Sequence, residues 1–150
     1  LSCYITTDSL ICKGAKKMNQ ARSQSAFLSG GIVLLTLFTA GIHLYLGLSG
    51  LRRPLNAFTV LFILNGLGYL TLLAALNLPI PQLSGYCPLL RRALGGYAAL
   101  TIVSWVATVV ILHFRAIPLA YVTKVDELTL ILLLWLAGRQ ASVRAEARAS

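Results

Sequence analysis

The chain has 150 residues, of which 57% are hydrophobic and only 11% charged, with a mean hydropathy of +0.79. A soluble domain carries about 25% charged residues, so the composition excludes an ordinary soluble fold and points to one membrane-embedded bundle. The net charge of +9 comes from thirteen Lys and Arg against four acids, and these bases flank apolar runs, where topology signals and headgroup contacts belong. They are not interleaved with aromatic residues as a nucleic-acid surface requires, so no nucleic-acid partner is expected.

Residues 1–26 read as a polar tail. The chain begins with Leu and its first Met is Met18. Lys13-Gly14-Ala15 is encodable as a purine-rich ribosome-binding sequence just upstream, so translation is expected to start at Met18 or, equally, the segment is an ordinary terminal tail. Cys3, Cys12 and Cys87 form neither a C-x-x-C nor a Cys/His metal spacing. No disulfide framework, metal site or other cofactor is expected.

The first predicted span covers about 27–48, enough to cross a bilayer core of about 30 Å, and is read as an anchor rather than a cleaved leader. Thr36, Thr39, Ala40, His43 and Gly47 share one face, the kind of small and hydroxyl-bearing face that packs on other helices. A turn at 49–54 leads to a second span at about 56–76. Its Asn65 and Tyr69 lie one turn apart, and an Asn in mid-membrane requires a partner inside the bundle. The connection 77–92 carries Pro79, Pro81 and Pro88 and reads as lying in the headgroup region.

The third span, about 93–114, places Tyr97, Thr101, Ser104 and Thr108 in a polar stripe extended by Arg115, with His113 off that stripe. The stripe reads first as knitting helices together and second as a hydrophilic path. Trp105 reads as core or lipid-facing, and Trp135 as an interfacial anchor. After Pro118 the plainly apolar part of the last run is too short to cross a bilayer. A fourth span, 119–138, must therefore include Tyr121-Val-Thr-Lys-Val-Asp-Glu127, which puts Lys124, Asp126 and Glu127 inside the membrane. The residues after Gly138 read as a frayed polar tail.

The expected fold is thus an all-α membrane protein, an antiparallel four-helix transmembrane bundle. Arg22, Arg91, Arg92, Arg139, Arg144 and Arg148, with Lys13, Lys16 and Lys17, fall on one side. Arg52, Arg53 and Arg115 fall on the other, so both termini are expected in the cytoplasm of a multi-pass cell-membrane protein. His43, Lys124, Asp126 and Glu127 then converge in the outer half of the bundle.

Gly41-Ile-His-Leu-Tyr-Leu-Gly47, Leu64-Asn-Gly-Leu-Gly-Tyr-Leu70, Tyr97 through Thr101-Ile-Val-Ser-Trp105, and Tyr121-Val-Thr-Lys through Glu127 resemble a family of small four-helix prokaryotic integral membrane proteins of unknown function. The resemblance covers about residues 27–137 and implies the architecture alone.

The candidate binding cluster is Glu127, Asp126, Lys124, His43, Asn65 and Tyr69. An intramembrane acid marks a functional site by default. The competing reading is a structural ion pair, with Lys124 snorkelling outward and Asp126 near a wet rim. Glu127 and Lys124 are three residues apart and able to pair, with Thr123 beside them. Asp126 points about 100° away. His43 reads first as a hydrogen-bonded core residue and second as a metal or haem ligand. No Ser/His/Asp set with a nucleophile motif and no facing acid pair occurs, so no enzyme is expected.

Three functions follow from this reading. The first is a structural or accessory membrane protein, such as a small subunit of a larger complex, with the bilayer, other subunits or its own copies as partners. The second is an ion- or proton-coupled transporter using Glu127, and the third a haem or quinone redox subunit.

Overall fold

The computed structural model describes residues 15–52, 54, 56–78, 85–111, 113 and 118–149, with side chains described between Ala26 and Ser142. These form four helices, α1 (Ala15–Gly50), α2 (Ala57–Asn77), α3 (Cys87–Ile111) and α4 (Pro118–Ala149), and no strand occurs among the described residues. Arg53 and Arg115, together with Cys3, Cys12, Lys13, Pro79 and Pro81, lie outside the described residues.

Three of the predicted boundaries move. α1 starts at Ala15, so residues 15–26 are helix rather than tail. Their Ala, Lys, Met, Gln and Arg content favours continuation of a helix. α3 starts at Cys87 with Pro88 in its first turn. A proline there loses no intrahelical bond, since its missing N–H is one the first turn leaves unpaired anyway. It therefore opens the helix instead of excluding it. α4 continues through the Ala-rich segment to Ala149. The start of α2 is set by Asn56, whose side-chain oxygen accepts from the Thr59 amide at 2.8 Å. Its end is set by extended Leu78, the conformation imposed on a residue preceding proline.

α1 packs on α2, α2 on α3, α3 on α4, and α4 closes back onto α1. Contacts fix the directions. Gly47 and Gly50 at the end of α1 meet Ile63 and Thr59 near the start of α2, while Leu44 and Ala40 meet Gly66 further along. Gly31 meets Leu133 and Thr39 meets Asp126, so α1 and α4 also run oppositely. Gly95 meets Leu134, and the Trp105 and Tyr121 rings meet edge-on at 5.3 Å, so α3 opposes α4. Every neighbouring pair is therefore antiparallel.

Ala26–Gly50, Ala57–Asn77 and Cys87–Ile111 are long and apolar enough to cross a membrane. α4 is not apolar enough by composition, but it runs level with α1 and α3 through the pairs above. Wherever those helices sit, residues 121–134 sit with them.

Burial is inverted relative to a soluble protein. Thr36, Thr39, His43, Thr123, Lys124, Asp126 and Glu127 are buried, while Leu34, Phe38, Leu64, Leu100, Val103, Val110, Leu128 and Leu132 are exposed. Exposed apolar surface of this extent requires an apolar surrounding. A smaller apolar cluster of Ile32, Leu76, Leu94, Leu130, Leu134 and Ala137 fills the other half of the bundle.

Cys87 is disulfide-bonded, a bridge that the expectation of no disulfide framework did not include. Sequence spacing alone does not show which thiols the helices bring near one another.

Candidate functional site: a buried charge cluster

The cluster is built on α4. The helical period puts Lys124 and Glu127 on adjoining positions of one face, and Lys124 Nζ lies 2.6 Å from Glu127 Oε2. Glu127 is fully buried, and the Lys124 side chain is only 11% exposed. Lys124 does not snorkel, because the acid one turn away offers a closer partner than the membrane surface. Asp126, about 100° round the helix, turns to α1 and accepts a hydrogen bond from Thr39 Oγ1. It is buried within the bundle. The two acids are thus directed to different neighbours, as their spacing requires.

α1 supplies Thr39 and His43, four residues apart on one face. The His43 Nδ1–H donates to the Thr39 carbonyl at 2.8 Å. The His43 ring lies 5.9 Å from Phe62 and 6.0 Å from Tyr69, between centroids. Thr39 therefore holds His43 through its carbonyl and Asp126 through its hydroxyl. α2 supplies Tyr69, fully buried, whose hydroxyl is 3.1 Å from Thr101 Oγ1 of α3. Tyr97 stacks edge-on against Tyr69 at 5.0 Å and donates to the Asn65 carbonyl at 3.4 Å. The Glu127 carboxylate acts electrostatically on both His43 and Tyr69.

Of the six residues expected from the sequence, Glu127, Asp126, Lys124, His43 and Tyr69 are brought together. Asn65 is half-buried and contributes its main-chain carbonyl. Its side-chain amide makes no hydrogen bond among the described residues. Tyr97 instead reaches in from α3 beside Gly68, where even a Cβ would strike the Tyr97 ring at 2.7 Å. Thr123 is buried but donates to Ala120 of its own helix. Thr39 and Thr101 were seen in polar faces but not as members of the site. Thr39 was identifiable as the residue one turn before His43.

The α3 stripe divides. Tyr97 and Thr101 bind α2, whereas Ser104 is exposed and Thr108 bonds back to the Ser104 carbonyl. The two histidines do not share an environment. His43 is buried in the cluster, while His113 is exposed beyond the end of α3 in a left-handed conformation (φ 49°).

One polar atom in the cluster lacks a partner. Glu127 Oε1 is buried and receives no hydrogen bond among the described residues. Such an atom carries its full desolvation cost.

These features define a small helical-bundle membrane protein with an internal cluster of one lysine, two acids, a histidine and a tyrosine. No protein-family model, curated protein or solved structure matches the chain.

Proposed function

We propose that this is a small multi-pass protein of the cell membrane, of structural or accessory type, acting as a subunit of a larger membrane complex. The observation that supports this reading most is the inward use of every charge in the cluster. Lys124 serves Glu127, while Thr39 ties Asp126 to α1. Residues 23–51, 54–90 and 93–114 contain no Lys, Arg, Asp or Glu. The faces left exposed on the spans offer mainly aliphatic and aromatic side chains, suited to lipid, to apolar partner helices or to a second copy. α3, the least buried of the three apolar spans, has the most surface for such a partner. α4 completes the bundle as a fourth span, as in the small four-helix prokaryotic proteins the sequence resembles. No catalytic role and no cofactor is assigned. The arginine distribution supports a cytoplasmic position for both termini.

Native mass spectrometry from mild detergent tests this reading. A stoichiometric complex larger than one chain is expected. A lone monomer that carries proton flux in proteoliposomes, abolished by Glu127→Gln, would replace it with the second reading, a proton-coupled carrier. The unpartnered Glu127 Oε1 is the observation that favours that alternative.

A further inference from the structure

We infer that the Asp126–Glu127 carboxyl pair binds one exchangeable proton per chain inside the bundle. Two independent observations carry this, and neither depends on the accessory role proposed above.

The first is charge. The groups facing the pair are Lys124 on α4, His43 from α1 and Tyr69 from α2, with Tyr97 and Thr101 of α3 behind Tyr69. Lys124 is the single fixed cation among them. It balances one carboxylate, and a second remains. Asp126 and Glu127 are both buried, in a bundle whose outer surface is apolar. A surplus charge there is unfavourable unless paired, and in practice such a group becomes neutral.

The second is a count of hydrogens. A hydroxyl has one hydrogen to donate. Thr101 Oγ1 reaches the Ala98 carbonyl at 2.8 Å and lies 3.1 Å from the Tyr69 hydroxyl, where either hydroxyl can be the donor. The hydroxyl hydrogen of Thr39 goes to Asp126. The Nδ1 hydrogen of His43 goes to the Thr39 carbonyl, and Lys124 engages Oε2 of Glu127. Among the described residues none gives a hydrogen to Glu127 Oε1, although it is fully enclosed. The Tyr69 hydroxyl of α2 also interacts with the Glu127 carboxyl.

One proton removes both deficits. Taken from water onto the carboxyl pair, it cancels the surplus charge and supplies the missing donor. No electron transfer is involved. The two acids are adjacent and interact, so the proton belongs to the pair rather than to either residue.

Infrared difference spectroscopy of the protein in lipid nanodiscs tests this. At neutral pH a carboxylic-acid carbonyl stretch is expected, one per chain, shifting to lower frequency in D2O. The chain has only two other acids, Asp8 and Glu146, and Glu146→Gln leaves the band in place. Asp126→Asn and Glu127→Gln each abolish it, because either leaves one carboxylate opposite Lys124. Glu127→Asp retains it and serves if Glu127→Gln fails to fold. Absence of the band in the native chain, or its survival in both Asp126→Asn and Glu127→Gln, overturns the inference. So does an imidazolium signal from His43 in place of the band. Loss of the proton site would leave the accessory role standing, since that is read from subunit composition.

Discussion

At the scale of single residues, the cluster makes unequal demands on its members. Removing Lys124 leaves the buried acid pair with no cation. Lys124→Ala is expected to cost about 3–5 kcal/mol, the range for breaking a buried pair from one side. Lys124→Ala combined with Glu127→Ala should recover most of that loss, which a double-mutant cycle by unfolding in detergent would read. Thr39→Val removes the only described hydroxyl donor to Asp126. A hydrogen bond to a charged group contributes about 1.5–3 kcal/mol, so a loss in that range is expected. If Thr39→Val melts like the native protein, the α1–α4 bond has no structural weight. Glu127 was legible from the sequence because the span could not be completed without it. Its partners were less so. His43 and Tyr69 sat on faces that pointed inward, and both arrive at the cluster. Asn65 shared the Tyr69 face, yet it is Tyr97 that fills the space beside Gly68. A periodic face gives a direction but not the depth to which a side chain of given size can enter.

At the scale of elements, α1 and α2 lie closest where glycines face each other's helix. A Cβ on Gly66 would come within 2.6 Å of Leu44 Cγ and 3.0 Å of the Ala40 carbonyl. The second of these is backbone and cannot yield cheaply. Gly66→Ala is therefore expected to destabilise the bundle by about 1–3 kcal/mol through overpacking. Gly41 on α1 is exposed and has open space where a Cβ would stand. Gly41→Ala should be neutral or stabilising by up to about 1 kcal/mol, the helix-propensity gain. Thermal unfolding of the two variants side by side separates packing from propensity. The Asn56 cap gives a further check, with Asn56→Ala expected to lose about 0.5–2 kcal/mol. The ends of the spans were readable where capping chemistry or a chain-breaking residue stood at the boundary, as at Asn56 and Leu78. The first span begins at Ala26, next to the expected 27, but the helices themselves extend over residues 15–26 and 139–149, which read as tails in the sequence. There the sequence changes from apolar to polar while the backbone continues helical, and hydropathy registers only the first of these.

At the scale of the whole molecule, the arginine count and the disulfide at Cys87 oppose each other. Cys87 lies at the same end of the bundle as Arg91 and Arg92, and by helix direction so do both termini. The count favours a cytoplasmic position for that end, whereas disulfides persist in oxidising compartments. Labelling with a membrane-impermeant maleimide after mild reduction decides the orientation. The charge count predicts that Cys87 is labelled only after the membrane is permeabilised. Labelling in intact cells would put both termini outside.

The sequence by itself determined a membrane-class, all-helical chain, the approximate position of three spans, and the presence of charge in the fourth. Each of these is a local quantity, since run length, periodicity and charge density need no knowledge of neighbours. Only the tertiary structure decided that α4 stands level with the other helices despite its charges. It also decided that Asp126 meets Thr39 of α1, and that one oxygen of Glu127 is enclosed without a hydrogen among the described residues. Those depend on which helices are adjacent and in what register, and register is set by close contacts such as Gly66 on Leu44. The cost of an intramembrane charge could be read from the chain. Part of its compensation, Lys124 on Glu127, was legible in the i,i+3 spacing, whereas Thr39 of α1 on Asp126 becomes visible only when the bundle is closed.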